Sequence, residues 1–197
     1  MPSGPSPRAQ PPAPAASAVL VAPGYLLTSI AGMGAVADDL SSDPTVYVFD
    51  GTSWHTGRYV DRDKGLQIAL IRADVPGVPV SLPRAASRPA RVLGLAALAP
   101  TDASPRSRAW RGSPCNVIPR WLAIQLDRER TPTLCVADPV REIPGAILLD
   151  ADGAFAGIQV NPAGFDETGG PDAAEIRAYL DLYFATWGAS VKPKPPY

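Results

Sequence analysis

The chain has 197 residues, 46% of them apolar and 19% charged, and a net charge of −1. That is the balance of one compact domain or of two small lobes sharing a core. A near-neutral chain excludes the broad basic surface that nucleic acid requires and a polybasic membrane patch. No run approaches the ~18 uninterrupted apolar residues of a membrane span. With one His and two Cys, a protein-only structural zinc site, which takes about four N or S ligands, is effectively excluded. No metal or cofactor is expected. The 24 prolines and 17 glycines favour many short strands and turns over long helices. All basic residues except Lys64, Lys192 and Lys194 are Arg, a bias that genomic base composition explains.

Residues 1–17 are rich in Pro, Ala and Ser. Such a segment favours extended polyproline II and reads as a tether or arm. From Ala18 the pattern changes. Short apolar runs at 17–22, 25–29, 45–49, 54–60, 66–72, 78–82 and 90–96 predict strands at the rhythm of an all-β barrel or sandwich. Pro23-Gly24 and Asp50-Gly51 are turn signals between them. Residues 99–114 read as an inter-lobe loop. Further strands are predicted at 115–118, 121–126, 133–136, 146–149 and 154–160, with a turn at Asp150-Ala-Asp-Gly153. Residues 172–187 break the rhythm. Ile176, Tyr179, Leu180, Tyr183, Phe184 and Trp187 recur at helical spacing and predict an amphipathic helix. Asp172 with Glu175 forms a capping-box signature, and Gly188 is the expected stop. The Pro-rich tail 189–197 cannot continue the helix. The predicted organisation is an arm (1–17), a first lobe (18–98), a loop (99–114), a second lobe (115–171), a helix (172–188) and a tail.

Three segments sharpen this outline. Gly24-Tyr-Leu-Leu-Thr-Ser-Ile-Ala31 resembles the trypsin-like serine protease segment in which a strand ends in Leu-Thr-Ala-Ala-His. Leu66-Gln-Ile-Ala-Leu-Ile-Arg72 resembles the strand that carries the triad aspartate. Glu142-Ile-Pro-Gly-Ala-Ile-Leu-Leu-Asp150, with the hairpin after it, resembles the Gly-Asp-Ser-Gly-Gly segment. The order and the closing helix agree as well, and the bacterial high-temperature-requirement type is the nearest flavour. The resemblance covers residues 17–188. It implies an all-β fold of two antiparallel, six-stranded β-barrels with a C-terminal α-helix.

Carried over residue by residue, the resemblance implies that the chemistry is missing. The histidine position falls on Ala31, the aspartate position on Gln67 and the serine position on Pro144. Acyl transfer by this route needs a nucleophilic hydroxyl and a base to take its proton. The oxyanion positions fall on Glu142 and Pro144, and proline has no N–H to donate. Losing one such donor typically costs on the order of 10²–10³ in rate. Four coordinated losses read as natural loss of activity.

The remaining features are weaker. His55, the one imidazole, reads as a solvated or hydrogen-bonded strand residue away from the cleft. Asp61 and Asp63 read as a solvated turn. Arg106, Arg108 and Arg111 read as a solvated loop. The helix aromatics read as core packing. Cys115 and Cys135 either form a disulfide, as the resemblance implies for this region, or are buried thiols. A bridge and the family favour an extracytoplasmic location; the lack of a visible signal peptide favours the cytoplasm if Met1 is the start. The expected function is a non-catalytic trypsin-like domain serving as an interaction or scaffold subunit. Its partners would be protein subunits of a larger assembly, through which it could associate peripherally with a membrane. The alternatives are a peptide-binding regulator or chaperone using the retained cleft, and an enzyme with a different site.

Overall fold

The computed structural model describes residues 16–33, 45–84, 91–97, 110–117, 132–135, 144–160 and 168–187. The predicted strand at 121–126, the tail, Gly188, Arg106, Arg108 and Glu142 lie outside the described residues.

The first sheet holds β1 (Ala18–Ala22), β2 (Tyr25–Ser29), β3 (Thr45–Phe49), β4 (Trp54–Asp63) and β5 (Ile68–Ala73), in the order β1-β2-β5-β4-β3. All its pairings are antiparallel. Alternation decides which side each residue serves. In β2, Leu27 joins one apolar cluster and Leu26 the other. A four-residue helix, α1 (Ile30–Met33), follows β2 directly.

The second sheet holds β6 (Arg91–Ala97), β7 (Trp110–Val117), β8 (Pro132–Cys135), β9 (Ile147–Leu149), β10 (Phe155–Ile158) and β11 (Thr168–Gly169). Its order is β10-β9-β6-β7-β8-β11, again antiparallel. The β9–β10 turn is built on Asp150, whose carboxylate accepts the amides of Asp152 and Ala154 at 3.0 and 2.8 Å.

The long helix α2 (Ala173–Trp187) closes the chain. Asp172 accepts the amides of Ala174 and Glu175 at 3.0 and 2.9 Å, and Glu175 accepts the amide of Asp172 at 2.9 Å. This is the reciprocal capping that the sequence signature predicts. Ile176, Tyr179 and Leu180 then fall on one buried face. The main core joins both sheets and α2 through Val19, Leu27, Leu70, Phe155, Ile158 and Ile176. Each fully buried side chain of this size contributes about 1.5–3 kcal/mol, so the two sheets and the helix stand or fall together.

The fold expectation stands in a coarser form, and three others are corrected. The fold is mostly β, with two antiparallel sheets and a C-terminal helix, but neither sheet closes on itself among the described residues. Among the described residues the first sheet has five strands rather than six, and residues 78–82 form no strand. Pro79 has no amide to give a ladder, and the amide of Val80 donates to the Leu20 carbonyl at 2.9 Å. Strand β6, read as first-lobe by position, is bonded to β7 and β9 of the second sheet. Strand β7 begins at Trp110, inside the stretch read as loop. Composition marks where a chain turns, whereas sheet membership is decided by which backbone edges meet.

Candidate functional site

The three positions singled out in the sequence lie on separate elements. Ala31 is on α1, which continues the end of β2. Gln67 immediately precedes β5. Pro144 opens the hairpin that becomes β9 and β10. Register brings the first two together: Ser29 pairs with Ile68, and the amide of Ile30 donates to the carbonyl of Gln67 at 3.0 Å. Gln67 has φ +56°, a left-handed conformation that is uncommon outside Gly, Asn and Asp. Its side-chain amide donates back to the Lys64 carbonyl at 2.5 Å, which holds that turn.

Pro144 is brought in by the chain's entry into β1. The amide of Ser17 donates to the Pro144 carbonyl at 2.9 Å. The Ser17 carbonyl accepts the buried Thr28 hydroxyl at 2.6 Å. Gly32 sits against Ala16, and a Cβ on Gly32 would lie 3.5 Å from the Pro144 Cβ. Gly145 has φ +82°, and a Cβ there would strike the Ser17 carbonyl oxygen. Behind it, the amide of Gly145 donates to the Gln159 carbonyl at 2.9 Å, and the Gln159 amide to the Ala146 carbonyl at 2.8 Å. The structure thus brings Ala31, Gln67 and Pro144 to one place where the two sheets meet.

Their side chains are a methyl, a carboxamide that turns back to Lys64, and a pyrrolidine. None can take a proton from a nucleophile near neutral pH. Among the described residues three hydroxyls are close by, those of Ser17, Thr28 and Ser29, and all three residues are buried. Thr28 donates to Ser17, and the fully buried Ser29 Oγ accepts the Ala31 amide at 3.2 Å. Pro144 offers no N–H at this position.

The histidine lies elsewhere, in the β3–β4 hairpin. His55 Nε2 and Asp50 Oδ2 are 2.9 Å apart, with the His55 side chain 22% exposed. Asp50 Oδ1 also accepts the Thr52 hydroxyl at 2.6 Å and the Ser53 amide at 2.8 Å. The Thr52 hydroxyl first, and His55 next, hold the Asp50 carboxyl well below the usual carboxylate range. Imidazole and hydroxyl converge on one carboxylate instead of facing each other, so the trio is a hairpin brace and not a relay. The sequence reading missed Asp50 as the partner of His55; the signal was its position at the turn, five residues before the ring.

Asp61 and Asp63 are corrected too. Both lie in the ten-residue strand β4 rather than a solvated turn. Asp61 accepts the Tyr179 hydroxyl at 3.1 Å beneath α2, and Asp63 accepts the Leu66 amide at 2.8 Å. The strand runs on because a register shift between Tyr59 and Asp61 lets it follow β5 to its end. Cys115 and Cys135 are register partners across β7 and β8. Among the described residues, no three His, Cys, Asp or Glu gather as a metal site, and no helix is long and apolar enough to cross a membrane.

Two antiparallel sheets on a shared core with a C-terminal helix are consistent with the fold of the trypsin-like serine proteases. The solved structures it resembles are of that class. Rv3671c from M. tuberculosis, in an inactive form with a serine-to-alanine mutation, superposes with a TM-score of 0.59 at 15% identity, covering 90% of this chain and 84% of that one. The active form of the same protease gives 0.58 at 14% identity, covering 92% and 76%. The HtrA-type protease AlgW, solved with a decapeptide, gives 0.57 at 16% identity; the match takes in 88% of this chain and 52% of AlgW. No protein-family model matches the sequence, and no curated protein matches it.

Proposed function

We propose that this chain is a trypsin-like domain without acyl-transfer chemistry, and that it serves as an interaction or scaffold subunit for other proteins. On this reading the two sheets are the two barrels of the protease fold, and their meeting place is a vacated active site. The observation that carries it is the juxtaposition just described. The positions that the resemblance equates with the triad hold Ala31, Gln67 and Pro144, and the Ile30–Gln67 and Ser17–Pro144 bonds tie their neighbourhoods to the start of the first sheet, which supports this reading. A fold kept while its reacting groups are gone has moved its work to its surface.

The test has two arms. Purified protein is assayed against casein and a broad peptide and ester panel, with an HtrA-type protease as positive control. No turnover above the buffer rate is expected. Turnover that survives repurification and disappears in Gln67→Ala or Glu142→Ala would overturn the loss of catalysis. In the second arm the chain is cross-linked in its native source and its neighbours are identified. A lone monomer with no reproducible protein neighbour would overturn the scaffold role.

A further inference from the structure

Asp-Gly occurs twice in the chain, at Asp50-Gly51 and at Asp152-Gly153. A glycine after an aspartate matters chemically, because no Cβ shields its amide nitrogen from the neighbouring carboxyl. That nitrogen can attack Cγ and close a five-membered ring. The two pairs sit at the tips of the β3–β4 and β9–β10 hairpins, and the fold treats their carboxyls in opposite ways.

Asp50 is tied down. Its Oδ1 accepts the Thr52 amide and hydroxyl, each at 2.6 Å, and the Ser53 amide at 2.8 Å, while Oδ2 faces His55 Nε2 at 2.9 Å. Turning Cγ toward the Gly51 nitrogen breaks all four of these contacts. The Thr52 hydroxyl first, and His55 next, also keep this carboxyl ionised well below the usual range. A carboxylate is a far weaker electrophile than the neutral acid.

Asp152 carries none of its turn's side-chain bonds. Asp150 does that work: its carboxylate accepts the amides of Asp152 and Ala154, and its own amide donates to the Ala154 carbonyl at 2.9 Å. Among the described residues no group holds the Asp152 carboxyl. Ala151, Asp152, Gly153 and Ala154 are all exposed, and nothing lies within 4 Å of where a Cβ on Gly153 would stand. The Gly153 amide makes one bond, to the Asp150 carbonyl at 3.1 Å. Opening an exposed hairpin tip is among the least costly local motions of a fold.

We propose that Asp152 is a site of spontaneous backbone isomerisation and that Asp50 is protected from it. In the step, the Gly153 nitrogen bonds to Asp152 Cγ, the bond from Cγ to its hydroxyl breaks, and the amide proton leaves with that hydroxyl as water. Water then opens the succinimide. Addition at Cγ restores Asp152. Addition at the α-carbonyl leaves the chain running through the former side chain, as isoaspartate. The step uses only the chain and water, so it stands apart from the reading of the Ala31–Gln67–Pro144 locus. One extra backbone carbon changes the length of the turn, and turn length fixes the β9–β10 register. That hairpin carries Phe155 and Ile158 into the core and holds Gly145 through Gln159, so the isoaspartyl form should melt lower.

The experiment incubates the full folded chain for weeks at neutral pH in heavy-oxygen water, beside a sample kept unfolded in urea. Each ring opening writes one heavy oxygen into the chain, and electron-transfer fragmentation separates isoaspartate from aspartate. In the folded chain, label and isoaspartate should build up at Asp152 at least about ten-fold faster than at Asp50, whose bonds must break first. In urea the two sites should label at similar rates, because glycine follows both. Asp152→Glu, whose ring would have six members, should abolish label at that position and the lower-melting fraction with it. An unlabelled Asp152 in the folded chain, equal labelling of both sites when folded, or a preference that persists in urea overturns the proposal. A melting curve that stays unchanged as isoaspartate accumulates overturns its effect on the hairpin.

Discussion

The amide of Ser17 and the carbonyl of Pro144, 2.9 Å apart, clasp the two sheets together beside Gly145. The contact leaves no room for error around it. Gly145 must hold φ +82° with its α-carbon against the Ser17 carbonyl, and the Thr28 hydroxyl donates to that oxygen at 2.6 Å. Gly145→Ala combines left-handed strain with a backbone clash and should cost on the order of 2–4 kcal/mol. Thr28→Val keeps the volume but leaves the buried Ser17 carbonyl short of a donor, at a cost of about 1–3 kcal/mol. Urea denaturation checks both. If neither variant shifts the midpoint, the clasp does not hold the sheets.

The α2 phenols should titrate late. Burial first, and then neighbouring Tyr25 and Asp61, push the Tyr183 hydroxyl up to about 12; burial and Asp61 push Tyr179 higher still. A raised folded-state value favours the neutral phenol. Its contribution to stability is whole below the ordinary tyrosine value of ~10 and is lost as pH rises through the folded value. Absorbance at 295 nm, followed with far-UV circular dichroism, should show two late-ionising phenols whose ionisation accompanies loss of structure. Tyr179→Phe should remove one of them and destabilise by about 1–2 kcal/mol through the lost bond to Asp61. Ionisation of every tyrosine near pH 10 with the fold intact would contradict this.

The strands and α2 were legible because their signals are local. The Asp50-Gly51 turn predicts the β3–β4 hairpin, and Asp172 with Glu175 predicts the start of the helix to within a residue. Ala31, Gln67 and Pro144 were legible as single positions in three segments that resemble one family. Their convergence was not, because it depends on a bond between residues 17 and 144, far apart in sequence and joined through backbone atoms that carry no side-chain signature. The same holds for β6. Its alternation predicts a strand, but nothing in Arg91–Ala97 says which sheet will accept it. Gln67's positive φ was equally invisible, since Gln is an ordinary residue whose conformation here is imposed by the Ile30 and Lys64 contacts.

Cys115 and Cys135 stand directly opposite each other in adjacent antiparallel strands. Opposed residues in such a pair have Cα atoms about 4.5–5.5 Å apart, within the span that a disulfide bridges. The expected outcome is a bond under oxidising conditions. Closing a loop of this length contributes about 3 kcal/mol in the chain-entropy model, so reduction or Cys115→Ser should lower the melting temperature by roughly 6–12 °C for a chain of this size. Alkylation of the unreduced, folded protein followed by mass measurement checks the bond. Uptake of two alkyl groups without reductant would show that the thiols remain free.

The hairpin brace sets an acid limit. The Thr52 hydroxyl, then His55 and the Ser53 amide, favour the ionised Asp50 carboxylate. A depressed folded-state value means that the unfolded chain binds the proton more readily. The contribution is therefore whole above the ordinary carboxylate value of ~4 and disappears as pH falls through the lower folded value. Much of the carboxylate's field is screened by solvent at a hairpin tip, so the effect is modest. Asp50→Asn should lower the melting temperature at pH 6 by about 2–4 °C and flatten its decline between pH 4 and 2 relative to the unaltered chain. An amide in place of the carboxylate keeps one acceptor for the Thr52 and Ser53 amides but cannot carry the charge that draws the hydroxyl and the imidazole together. Parallel melting curves for the two proteins across that acid range would place the limiting carboxylate elsewhere in the fold.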